Sequence, residues 1–153
     1  MILRKAEIKD ITAMTSVFVS AVESSTAEYS AIQRAALVSG TMRQSFWNDL
    51  LQRNYVIAAF EMVELIGFCS FSTRGEIEML YVHPNMQRKG IATRIIAHLR
   101  EYASHEGYAH LKINALDIFE PWLERMKFEK IESAAREDRG VLFDLDLFVL
   151  DLL

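Results

Sequence analysis

Cysteine occurs once in this 153-residue chain, at Cys69, so no internal disulfide can form. Cys69 lies among Ile66, Phe68 and Phe71, an apolar setting that suits a buried core thiol better than a nucleophile. Histidine occurs four times, and no two stand at metal-ligand spacing, so no metal is expected. There are two prolines and six glycines, and no Pro-, Gly- or Ser-rich tract marks a linker. Internal repeats are also lacking, and one domain spanning residues 1–153 is expected. No apolar run approaches the roughly 20 residues of a membrane helix. The start, Met1-Ile2-Leu3-Arg4-Lys5, is too short in apolar residues for a signal peptide. A cytoplasmic protein with no membrane partner is the expectation. Basic residues are outnumbered, 17 against 21 acidic, giving a net charge of −4, which argues against a general nucleic-acid binder while leaving room for a local basic patch.

What is present is a strong alternation of helical and extended patterns. Residues 2–7 read as a strand. Asp10 can cap a helix carrying Ile11, Met14, Val17, Phe18, Ala21 and Val22 at helical spacing. Ser30 with Gln33, and Thr41 with Gln44, are capping-box patterns opening helices over 31–39 and 42–52, with Gly40 between them. Strands follow at 55–60, 65–72 and 76–82, the last preceded by Gly75 and ended by Pro84. Ile91, Ile95, Ile96, Leu99, Tyr102 and Ala103 form one helical stripe closed by Gly107. A strand over 110–115 leads to a short helix from Asp117 to about Met126. Two strands, near 128–136 and 141–150, flank a turn at 138–140. The order β-ααα-βββ-α-β-α-ββ predicts an α+β fold, with helices flanking a mixed sheet.

The most informative segment is Gln87-Arg88-Lys89-Gly90-Ile91-Ala92-Thr93, set between a strand and an amphipathic helix. A helix start offers unpaired N–H groups and a positive dipole end, which suit an anion. Gly90 has no Cβ to keep a phosphate away, and Arg88 and Lys89 add charge. From Met79 to Arg100 no acidic residue occurs, although the whole chain is acidic, and this bias suits a pyrophosphate.

Met79-Leu80-Tyr81-Val82-His83-Pro84 followed by Gln87-Arg88-Lys89-Gly90-Ile91-Ala92 resembles motif A of the GCN5-related N-acetyltransferases (GNAT), with its Q/R-x-x-G-x-G/A pattern. Asn114-Ala115 and Phe119-Glu120-Pro121-Trp122-Leu123-Glu124-Arg125-Met126-Lys127-Phe128 resemble the family's later helix and strand. The stretches Glu28–Gln33 and Arg136–Gly140 resemble those of a group of small bacterial members. The resemblance implies the acyl-CoA N-acyltransferase fold, a mixed, mostly antiparallel sheet flanked by helices. It implies acetyl-CoA as cosubstrate. Amides from Arg88 to Thr93 would hold its pyrophosphate, with Gln87 opening the motif. Main-chain groups of Leu80 and Val82 would pair with the pantetheine arm, and Asn114 would contact it. The strands of Val82 and Asn114 would splay to open a slot for that arm.

Amine acetylation also needs a proton acceptor. Glu76 and Glu78 alternate with Ile77 and Met79, which predicts one shared face for both carboxylates and Leu80. Glu78, nearer the expected thioester, is the first candidate base and Glu76 the second. The family's thiolate proton donor, a tyrosine, corresponds to Leu123 here, so that donor is excluded. Tyr29 and Tyr81 are substitutes, though each suits packing. Lys127 stands where the family usually has glycine, which predicts a lysine in left-handed conformation. Trp47 and Trp122 suit core packing better than a substrate pocket, and His83 a loop better than catalysis.

The reading is an N-acetyltransferase acting on a primary amine of a small molecule or a protein. The alternatives are a CoA-binding module without catalysis, motivated by Leu123, and a structural partner subunit. The apolar run from Val141 to Leu150 would present an edge for a homodimer. The two glutamates mildly favour a cationic acceptor.

Overall fold

A computed structural model describes residues 1–153. The chain runs β1 (Ile2–Lys5), α1 (Ile11–Ser24), α2 (Ala31–Ser39), α3 (Gln44–Arg53), β2 (Tyr55–Glu61), β3 (Glu64–Phe71), β4 (Glu76–Val82), α4 (Ile91–His105), β5 (His110–Ala115), α5 (Glu120–Arg125), β6 (Glu129–Ser133), β7 (Arg136–Asp138), β8 (Val141–Phe143) and β9 (Asp146–Asp151). Seven strands form one sheet in the order β1-β2-β3-β4-β5-β9-β6. Only β4 and β5 run parallel, and the crossover between them is α4. β7 and β8 form a separate hairpin.

Each face of the sheet carries a core. On one, Ile91, Ile95, Ile96, Leu99 and Ala103 of α4 pack with Leu123, Phe128, Leu111, Phe148 and Leu150. These α4 positions fall on one side of a 3.6-residue turn, so one stripe is buried. Each buried aliphatic side chain contributes about 1.5–3 kcal/mol over its exposed state, which outweighs helix propensity. On the other face, Met14 and Phe18 of α1 and Trp47 and Leu50 of α3 cover Val56, Ala58, Phe60, Phe68 and Met79.

Helix ends show which local patterns hold. Ser30 and Gln33 form the expected capping box, each side chain bonding the other's N–H. The pattern at Thr41 and Gln44 does not. Thr41 is buried, its hydroxyl donates to the Val38 carbonyl, and its own carbonyl accepts from Trp47 Nε1 at 2.9 Å. The helix therefore starts later, at Gln44. Asp10 is likewise not a side-chain cap for α1. It takes the Glu7 N–H at 2.8 Å and both Arg4 guanidinium nitrogens at 2.8 and 3.0 Å.

The C-terminal region departs most from expectation. The two long strands are broken into four, because the chain leaves the main sheet after Ser133 and rejoins it at Asp146. β9 lies between β5 and β6 and is paired on both sides. It therefore offers no edge for a homodimer, and the edge at this end of the sheet is β6, whose residues are all exposed. Most of the apolar surplus is taken up inside: Phe148 and Leu150 face α4 and Phe143 meets Tyr29, while Leu142 stays exposed.

Candidate active site

The loop before α4 bends through two left-handed residues, Arg88 at φ +61° and Gly90 at φ +80°. No atom lies within 4 Å of the place a Gly90 Cβ would take, so the conformation calls for glycine there and the space beside it is open. The first α4 bond is from the Arg94 N–H to the Gly90 carbonyl at 3.0 Å. The N–H groups of Arg88, Lys89, Gly90, Ile91, Ala92 and Thr93 have no acceptor within the chain. Arg88 and Lys89 are exposed beside them, while the Ile91 side chain is buried and anchors the helix. Thr93 has its hydroxyl engaged by Trp122 Nε1 at 3.0 Å, a tie between α4 and α5. Gln87 reaches back, its Nε2 donating to the Val82 carbonyl at 3.0 Å.

The space faced by this loop continues into the sheet. β4 and β5 are in register only at Glu76 with Lys112 and Ile77 with Ile113. Beyond these pairs the strands part. The His83 N–H to Ile66 carbonyl bond fixes the phase of the β3–β4 ladder, so the main-chain groups of Leu80 and Val82 point away from β3. The Leu152 N–H to Ala109 carbonyl bond fixes the β5–β9 ladder, so those of Lys112 and Asn114 point away from β9. Lys112 confirms this phase by donating to the Gly75 carbonyl at 2.9 Å. Leu80 and Val82 on one side, and Asn114 on the other, thus turn polar backbone into one slot that leads toward the start of α4.

The carboxylates lie differently from the simple alternation. Ser70 pairs with Met79 and Phe71 with Ile77, leaving Glu78 as the extra residue of a β-bulge. The bulge shifts the parity of the strand. Ile77 packs in the α4-side core and Met79 in the opposite one, while Leu80 returns to the α4 side. Glu78 is therefore not on the face of Leu80. It points toward α3, where its Oε1 accepts from Asn54 Nδ2 at 2.6 Å and lies 3.6 Å from the Arg53 guanidinium. Asn54 Nδ2 also donates to the buried Ser70 hydroxyl at 2.7 Å. Glu76 is half-buried and, by its neighbour Ile77, belongs to the same face as Glu78.

Tyr81 leans onto that face too, edge-on to Phe18 at 4.7 Å between ring centres. Burial pushes its phenol well above the usual range. Tyr29 lies edge-on to Phe143 at 5.9 Å, and burial raises its phenol as well. Leu123 is fully buried in the α4-side core. Trp47 is core and Trp122 is half-buried on α5. The His83 Nδ1 accepts the Asn85 N–H, a local turn role. Burial pushes the Cys69 thiol up to about 12, which leaves it unreactive at neutral pH. No three His, Cys, Asp or Glu side chains converge as a metal would need. Asn54, Ser70 and Arg53 escape a reading of the sequence. Their one signal is a polar residue at the end of an amphipathic helix and another inside an apolar strand.

Residues 22–144 match the acetyltransferase (GNAT) domain family. The uncharacterized N-acetyltransferase YafP of Escherichia coli (strain K12) is 24% identical over 141 residues, 92% of this chain and 89% of YafP. A GCN5-related N-acetyltransferase (Aminotransferase, Class-II) from Rhodopseudomonas palustris superposes with a TM-score of 0.92 at 22% identity, covering 98% of this chain and 94% of that one. The PaiA N-acetyltransferase of Thermoplasma acidophilum, solved in complex with coenzyme A, gives 0.83 at 14% identity and 98% coverage of both chains. At these identities the structures speak for the fold, a mixed sheet flanked by helices. The family match spans the slot, the loop and the bulged strand together, and by it the chain belongs to the GNAT acetyltransferases.

Proposed function

We propose that this acetyltransferase moves the acetyl group of acetyl-CoA directly to a primary amine of a small molecule or protein. The observation that carries the reading is the continuity of the backbone-lined slot with six unpaired N–H groups at the start of α4. A pantetheine arm is an extended chain with amide groups, and Leu80, the Val82 N–H and Asn114 offer amide partners on both sides, the Val82 carbonyl being engaged by Gln87. A pyrophosphate needs several N–H donors and open space, and Arg88 to Thr93 with Gly90 supply both. The bound coenzyme in the PaiA structure supports the same assignment.

In the transfer, the neutral amine nitrogen attacks the thioester carbonyl carbon and the C–S bond breaks. Glu78 takes the amine proton, directly or through one water, and Asn54 fixes its orientation. Glu76, on the same face, is the second candidate. Leu123 offers no proton to the thiolate, so CoA departs unassisted, which a thiol of ordinary pKa near 8.5 tolerates. Leu123 also favours a second reading, a CoA-binding module that does not turn over. A CoA-release assay over polyamines, amino acids, aminoglycosides and peptide N-termini separates the two. Release with one amine class supports transfer, and tight acetyl-CoA binding with no release from any class supports the module.

A further inference from the structure

Three polar side chains on the sheet face opposite α4, the half-buried Tyr29 and Tyr81 and the exposed Arg136, lie within electrostatic reach of one another and have tips with no partner in the chain. Tyr81 stands on β4 between Leu80 and Val82, the two residues whose backbone lines the slot. Its ring is fixed by Phe18 and Phe68, yet its hydroxyl makes no internal hydrogen bond. Tyr29, in the turn before α2, is held by its carbonyl, which accepts from Arg34 Nη1 at 2.6 Å. Its hydroxyl is also unbonded. Arg136 of β7 is directly opposite Phe143 of β8, so the two side chains share a face, and Phe143 touches Tyr29. The hairpin is tied down by Gln33 Nε2, which donates to the Leu142 carbonyl at 3.0 Å. Arg136 itself forms no ion pair.

We propose that the acceptor amine carries an anionic group, a carboxylate or a phosphate, gripped by the Arg136 guanidinium and the Tyr29 and Tyr81 hydroxyls. The proposal rests on the acetyltransferase reading above and names its substrate class. Two neutral phenols and one guanidinium are all donors, and a bidentate guanidinium suits planar or tetrahedral oxyanions. Burial keeps both phenols protonated, while the Arg136 charge acts on each of them. Glu28, the residue before Tyr29, adds one negative charge on that side. The cationic acceptor suggested by two glutamates loses its basis at Glu78, which already faces Arg53 and Asn54.

The test uses matched pairs on the acetyl-CoA-loaded protein: ω-amino carboxylates against their amides, aminoalkyl phosphates against the corresponding amino alcohols, and diamines. Calorimetry reads binding and CoA release reads turnover. The expected result is a preference of about 10–100-fold for one anionic series over its uncharged counterpart, the size of a charge-assisted hydrogen bond. Which series wins identifies carboxylate or phosphate. Arg136→Ala brings that ratio to about one, chiefly through KM, and Arg136→Lys restores part of it. Preference for uncharged amines or diamines overturns the proposal, as does a ratio that survives Arg136→Ala. If the protein binds anionic amines through Arg136 without releasing CoA, the substrate class stands and the transfer reading fails.

Discussion

Asn54 Nδ2 lies 2.6 Å from Glu78 Oε1 and 2.7 Å from Ser70 Oγ, bridging the end of α3 to the bulge in β4. A carboxylate on a bulge would otherwise sweep a wide range of rotamers. The bridge should set catalytic orientation. Glu78→Gln is expected to lower kcat on the order of 100-fold, the low end for a lost general base, with the acetyl-CoA Kd unchanged. Glu76→Gln should cost far less, and the reverse ranking would transfer the role to Glu76. Asn54→Ala should lower kcat and also destabilise by about 1–3 kcal/mol in urea unfolding, since the buried Ser70 loses its partner.

Gly90→Ala places a methyl group in open space at φ +80°. The left-handed conformation alone costs about 1–2 kcal/mol. The methyl group also enters the space assigned to the pyrophosphate. Calorimetry should show weaker acetyl-CoA binding by more than the loss of stability explains.

Lys127 sits at φ +75° in a Schellman turn. Its N–H donates to Glu124 at 2.9 Å, and the Phe128 N–H donates to Leu123 at 3.0 Å. Lys127→Gly removes the Cβ penalty while loosening the unfolded chain, for a net gain on the order of 0.5–1 kcal/mol. The urea midpoint should rise with the slope unchanged, and acetyl transfer should be unaffected.

The Asp10 carboxyl is held below its usual range, first by the hydrogen bonds from Arg4 and also by the Glu7 N–H. A lowered folded-state value means that its stabilisation is complete above the unfolded value of about 3.9. It fades as pH falls through the folded value. The Tm gap between the parent chain and Asp10→Asn should be full at neutral pH and shrink below about pH 4. A gap that stays constant under acid would remove Asp10 ionisation from the explanation.

Features written in short stretches of chain were legible in the sequence. The Ser30–Gln33 box, the α4 stripe, the Gly90 turn and β5 each depend on residues a few positions apart. The bulge at Glu78 was not, because Glu76–Met79 alternates regularly and only the register with Ser70 and Phe71 breaks it. Thr41 shows the same limit: its hydroxyl had two outlets, and the burial of Trp47 chose between them. The loop from Arg88 to Thr93, which we assign to the pyrophosphate, could be read early because the donors it offers are backbone groups. The grouping of Tyr29, Tyr81 and Arg136 could not, since a helix turn, a central strand and a distant hairpin must first be assembled.

The place of β9 bears on how the molecule is made. This strand zips between β5 and β6, yet it is synthesised after both. While the chain grows from its N-terminus, β5 has its packing on α4 and a brief pairing with β4, but no ladder on its other side. The wall of the slot that carries Asn114 gains its supporting ladder only when Leu147 and its neighbours arrive. A nascent chain can thus display every N–H of the Gly90 loop while the wall proposed for the rest of acetyl-CoA is not yet rigid.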